Sequence, residues 1–143
     1  MTEGVSLVQQ ESIDLRQAVR LGGAPRRVLH VEDDAFVAAL VAATVEDAGV
    51  DVRWCSTGRS ALTAAATRAY DAFLLGIGPR DMSRILLAEG LAQIDDGIPI
   101  ILITDGAESL PLGPNVRVVT RPFEPHALVG AIEAALGAYR EAA

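Results

Sequence analysis

Apolar runs of strand length alternate along the chain with stretches of helical periodicity, and the alternation begins at Arg27. Val28-Leu29-His30-Val31 ends abruptly in Glu32-Asp33-Asp34, and Ala35 to Ala48 then carries helical periodicity closed by Gly49. Asp34 is well suited to cap that helix. Val50 to Cys55 reads as a second strand, and Thr57 caps a helix running to about Tyr70, with Ala61, Leu62 and Ala65 on its inner side. Asp71 to Gly76 is a third strand, apolar on both faces as a central parallel strand should be. Residues 83–94 supply a third helix through Ile85, Leu86, Leu87 and Leu91. Ile98 to Thr104 is a fourth strand, with Pro99 tolerable only near its start. Val116 to Thr120 is a fifth, and Pro125 opens a last helix to about Arg140.

Five alternations predict an α/β fold: a doubly wound five-stranded parallel sheet of order 2-1-3-4-5 with right-handed crossovers. One connection breaks the pattern. Residues 105–115 hold Gly106, Pro111, Gly113 and Pro114, so the fourth helix is expected to be shortened or absent, at most one turn around Ala107 to Leu110. Residues 1–26 stand apart as an N-terminal extension, partly disordered or a short helix, in which Val8, Leu15 and Val19 are imperfectly spaced and Gly22-Gly23-Ala24-Pro25 is a break. The domain proper is expected over 27–141.

A chain of 143 residues fits one domain, which buries roughly 70% of its unfolded surface. No apolar run approaches the ~20 residues of a spanning helix, and Met1 to Arg26 lacks the apolar block of a signal peptide, so no membrane contact is expected. The single cysteine, Cys55, fits a reducing cytoplasm. A net charge of −7 argues against direct binding of nucleic acid. All 12 basic residues are arginine, so any single arginine must be weighed against that bias.

Strand ends on the carboxyl side of a parallel sheet are where ligands bind, which puts Glu32 and Asp33 in a functional place. With them go Thr104, ending the fourth strand, and Arg121, following the fifth. The order Val-Leu-His-Val-Glu-Asp-Asp, Tyr-Asp-Ala-Phe-Leu-Leu, Ile-Pro-Ile-Ile-Leu-Ile-Thr and Val-Val-Thr-Arg-Pro-Phe-Glu-Pro resembles the CheY-like receiver domain of two-component response regulators, from Arg27 to about Glu141. The resemblance implies that Glu32 and Asp33 match the family's magnesium-holding acids and Thr104 its phosphoryl-contacting hydroxyl. Arg121 takes the place of a lysine before proline, and its bond to Pro122 is then expected to be cis.

The departure is central. Where the family has its phosphoacceptor aspartate, this chain has Gly76, and glycine offers no nucleophile. Asp81 lies five residues past the strand end and is a poor substitute. Asp105 follows the threonine where the family has a small residue; two unit charges ~4 Å apart at an effective dielectric of 20 repel by about 4 kcal/mol. Val118 stands at the aromatic switch position and is expected to pack in the core. His30 reads as a core histidine, and Trp54 and Cys55 as second-strand packing.

The expected function is therefore a pseudo-receiver: a phosphorylation-independent protein interaction module in bacterial two-component signalling, not an enzyme. Magnesium should bind weakly at most, through Glu32 and Asp33, with no other cofactor. Arg121 is expected to pair with Asp33, Glu32 or Asp105. The alternatives are a receiver-like domain sensing a small ligand or metal, and one phosphorylated on a non-standard aspartate. With no output domain in the sequence, the chain is expected to act through a signalling protein or its own copy. The face offered is the outward side of the last helix, Ala127, Gly130, Ala131, Ala134 and Ala138, where small residues admit a close helix.

Overall fold

The computed structural model describes residues 26–106, 115–121 and 124–142, the side chains of 137–142 excepted. The expected N-terminal extension, the turn at 107–110 and the Arg121–Pro122 bond lie outside the described residues. In chain order the elements are β1 (Arg26–Val31), α1 (Ala35–Glu46), β2 (Val50–Cys55), α2 (Gly58–Thr67), β3 (Ala72–Leu75), α3 (Arg84–Ile94), β4 (Ile100–Thr104), β5 (Val116–Thr120) and α4 (Pro125–Ala142). The strands form one parallel sheet of order β2-β1-β3-β4-β5, as the sequence predicts, and the described residues contain four helices.

Side chains of a strand alternate between faces, and the core divides accordingly. Leu29, Val31, Phe73, Leu75 and Leu102 pack with Ala61, Ala65, Leu87 and Leu91 of α2 and α3. Val28, Leu74, Ile101 and Ile103 pack on the other face with Val41 and Val45 of α1 and Leu128, Ile132 and Leu136 of α4. Each fully buried leucine contributes about 1.5–3 kcal/mol relative to exposure. The central strands β3 and β4 are buried at every position.

Local chemistry starts the helices where the pattern says they should start. Asp34 caps α1, its Oδ1 accepting from Phe36 N at 2.9 Å and Val37 N at 3.2 Å. Thr57 and Ser60 form a capping box on α2. Ser83 caps α3 by accepting from Leu86 N at 3.1 Å.

Four packing expectations need correction. Helix α2 stops at Thr67, whose hydroxyl donates to the carbonyls of Thr63 and Ala64 while Arg68 turns extended, so Tyr70 is buried in the loop beyond. On α3 the buried line is Arg84, Leu87 and Leu91; Ile85 and Leu86 are 45% and 60% exposed, because consecutive residues 100° apart cannot all face the sheet. Trp54 is 42% exposed on the edge strand β2 and serves as a hydrogen-bond donor as well as a packing group. Val118 is 41% exposed on the opposite edge strand, where Val119 is the buried residue.

His30 is a core histidine, fully buried between Trp54 and Leu74 in register, with neither ring nitrogen hydrogen-bonded among the described residues. Burial lowers its pKa to about 4, so the ring is neutral near pH 7.

Candidate functional site

The acids, Gly76, Thr104 and Arg121 all come to the carboxyl ends of β1, β3, β4 and β5. Glu32 continues β1 by donating its N–H to Cys55 O at 3.0 Å, and Gly76 continues β3 by donating to Val31 O at 2.8 Å. These two bonds bring Glu32 and Gly76 side by side. The Glu32 carboxyl folds over Gly76: a β-carbon at 76 would overlap Glu32 Oε1, and would lie 2.9 Å from Glu32 Cδ and 3.1 Å from Val31 O. The space where a side chain at 76 would begin is therefore filled from β1.

Glu32 is only 5% exposed, although it is an acid at a strand end. Its Oε2 accepts from Asp34 N at 3.2 Å, and its carbonyl accepts from Trp54 Nε1 at 2.7 Å. Burial pushes its pKa above the ordinary value. The Asp34 N–H opposes that, the charges of Asp33 and Asp34 add to it, and Arg121 draws it down.

Asp33 lies against Gly78, whose Cα is at φ +125° and where a β-carbon would come within 3.1 Å of the carboxyl carbon. Its cationic partner is Arg80, with Nε 3.3 Å from Oδ2. Of the three partners expected for Arg121, Asp33 pairs with Arg80 instead, while Glu32 feels the Arg121 charge. Arg121 follows β5, its N–H donates to Thr104 O at 2.7 Å, and its side chain is exposed. Thr104 is buried, and its hydroxyl accepts from Gly106 N at 3.1 Å, whereas Asp105 is exposed.

The sequence pattern did not single out Arg84. From the first turn of α3 its Nη1 donates to Ile103 O at 2.6 Å, Gly76 O at 3.1 Å and Leu75 O at 3.3 Å. A buried guanidinium thus ties β3 to β4 at the floor of the site. The signal was available: 84, 87 and 91 share a face, and an arginine on an otherwise apolar stripe needs acceptors. Arg80 carried no such signal, since nothing in the sequence pairs it with Asp33.

Asp81 does not approach the acids. Its carboxylate accepts from Gly58 N at 2.9 Å and Arg59 N at 3.0 Å, holding the start of α2, and those bonds lower its pKa. On α4, Ala127, Gly130 and Ala134 face outward as expected, but Ala131 is half-buried against the core because its position rotates toward Leu128 and Ile132; the Ala138 side chain lies outside the described residues.

A receiver-type magnesium site does not fit these residues well. Gly76 offers no carboxylate, Glu32 is turned over that glycine, Asp33 is paired with Arg80, and Arg84 occupies the Gly76 carbonyl. Among the described residues no three His, Cys, Asp or Glu side chains cluster as metal ligands.

Residues 28–133 match the family model described as the response regulator receiver domain. The chain belongs to the response regulator receiver family. It is 32% identical over 115 residues to the uncharacterized transcriptional regulatory protein YkoG of Bacillus subtilis, covering 76% of this chain and 50% of that protein. It is 28% identical over 122 residues to protein Rrf1 of Nitratidesulfovibrio vulgaris, covering 80% and 86%. The DNA-binding response regulator MtrA of Mycobacterium tuberculosis is also 28% identical, over 78% of this chain and 50% of its own. The receiver thus spans about half the length of YkoG and MtrA. A CheY-like receiver domain from Methanospirillum hungatei superposes with a TM-score of 0.78 at 22% identity, over 84% of this chain and all of that one, which establishes the shared fold. No helix among the described residues is long and apolar enough to cross a membrane.

Proposed function

We propose that this receiver domain works without aspartyl phosphorylation, as a protein–protein interaction module in two-component signalling. Gly76 carries the reading. A receiver needs a carboxylate oxygen to attack the phosphoryl donor, and here a glycine stands at the end of β3 with the Glu32 carboxyl folded into the space. Asp81, the nearest aspartate in sequence, is engaged at the start of α2 and is a poor alternative acceptor. In this reading the domain is not an enzyme and takes up magnesium weakly at most, through Glu32 and Asp33.

The partner is a signalling protein or a second copy of the chain, and the outward side of α4 around Ala127, Gly130 and Ala134 is the proposed contact face. Direct DNA contact is not part of the proposal, although MtrA is by name a DNA-binding response regulator. Incubation with acetyl phosphate and magnesium, followed by intact-mass analysis, should leave the protein without a phosphoryl adduct. A stoichiometric adduct that hydroxylamine removes would identify an acyl phosphate and overturn the reading.

A further inference from the structure

A cavity of about 320 Å³ opens between α1 and α4 at the carboxyl end of the sheet. Among the described residues its walls are Val37, Leu40 and Val41 from α1, Ile103 from β4, and Pro125 and Leu128 from α4. Thr44 also lines it, but the Thr44 hydroxyl donates to Leu40 O at 2.9 Å and so presents no free donor to the space. Polar character enters at Glu32 and Arg121. A cavity of this size, apolar on most of its wall and with polar groups converging at one end, has the form of a small-molecule site. The larger recess, about 400 Å³ around Arg68, Tyr70, Asp71 and Asp95, lies at the amino ends of the strands and lacks that segregation.

The two polar residues are not equivalent. Glu32 Oε2 accepts from Asp34 N, its Oε1 lies over Gly76, and the charge of Arg121 acts on this carboxyl. Asp33 pairs with Arg80, and the Arg121 guanidinium, exposed at the rim, acts on Glu32 through its charge. An exposed guanidinium at the rim of an apolar cavity matches a carboxylate attached to a carbon chain, because its planar fork pairs with both oxygens. The acids nearby favour a monoanion over a phosphate dianion, which they would repel more strongly.

We propose that the α1–α4 cavity binds a small amphipathic carboxylic acid, its carbon chain among Val37, Leu40, Val41, Ile103 and Leu128 and its carboxylate on Arg121. Two lining residues adjoin the altered receiver site directly: Ile103 precedes Thr104, and Glu32 precedes Asp33. An occupant would therefore touch the elements through which a phosphoryl group acts in other receivers, with no covalent step. The proposal does not rest on the phosphorylation-independent reading, since the cavity lies beside Gly76 and does not include it.

Methyl-resolved NMR titrations with octanoate, octanol and octylamine test it on the wild-type domain. Octanoate should give saturable shifts confined to Val37, Leu40, Val41, Ile103 and Leu128, and should bind at least about tenfold more tightly than either of the others, the margin of one charge-assisted hydrogen bond. Arg121→Gln, a change at an exposed side chain, should remove that margin while octanol binding stays the same. Thr44→Trp should fill the cavity and weaken all three probes. Octanoate shifts that are absent, unsaturable or scattered over the surface would overturn the proposal, as would octylamine binding equal to octanoate or an unchanged octanoate affinity in Arg121→Gln.

Discussion

Glycine at 76 has two physical consequences, and they act together. It offers no side-chain nucleophile at the end of β3, and it leaves a space there that the Glu32 carboxyl fills, so that an acid at the edge of the sheet is almost wholly buried. The overlap a β-carbon would meet is with the tip of a flexible side chain, and the Val31 carbonyl at 3.1 Å must give by only a few tenths of an ångström, so Gly76→Ala should fold, displace the Glu32 carboxyl toward solvent, and return its pKa toward the ordinary carboxylate value. Carboxyl-detected NMR titration of both proteins checks this. His30 predicts a separate pH effect. Its folded pKa of about 4 lies below the 6.5 of the unfolded chain, so between those values the unfolded state holds a proton the folded state lacks. Stability from the neutral ring is complete above about pH 7 and declines as pH falls through 6.5 toward 4, by up to about 3 kcal/mol. His30→Leu should flatten that part of the profile in urea melts at pH 4.5 and 7. Glu32 has the opposite sign: its raised pKa means that ionisation above the unfolded value works against the fold.

At the scale of elements, α3 carries more than the periodicity suggests. Four adjacent apolar residues hid the orientation of this helix, and the buried stripe proves to begin with a charge, Arg84, which satisfies carbonyls of both β3 and β4. Arg84→Leu keeps the bulk but strands those acceptors, so a loss of about 2–4 kcal/mol is expected by chemical denaturation, with Arg84→Lys recovering only part of it. The strands and helix starts were legible because they rest on local rules: apolar runs, the Asp34 and Thr57 caps, and proline at the head of α4. The packing of Ile85, Trp54, Val118 and Ala131 was not, because exposure there depends on which neighbour covers each face. In the site, the sequence named Glu32, Asp33, Gly76, Thr104 and Arg121, which the fold does bring to one edge. It could not assign partners, since Asp33 to Arg80 and Asp81 to the first turn of α2 join segments far apart in the chain.

Across the whole molecule, the receiver sheet packs on two cores and its strand ends carry internal pairings: Glu32 over Gly76, Asp33 with Arg80, Arg84 with three carbonyls. Ala127, Gly130 and Ala134 on the outer side of α4 are exposed. If the domain associates with itself through α4, light scattering over a concentration series should show a dimer that Ala134→Glu dissociates; a monomer at every concentration would confine α4 to other partners. The central claim, that Gly76 uncouples this receiver from phosphoryl chemistry, is tested most directly by amide NMR spectra with magnesium and beryllofluoride, a phosphoryl mimic that binds the acceptor carboxylate. The account predicts an unchanged wild-type spectrum, and in Gly76→Asp new shifts at residues 32–34, 76–78 and 104–105. Saturable beryllofluoride shifts around Glu32 and Thr104 in the wild-type protein would contradict it.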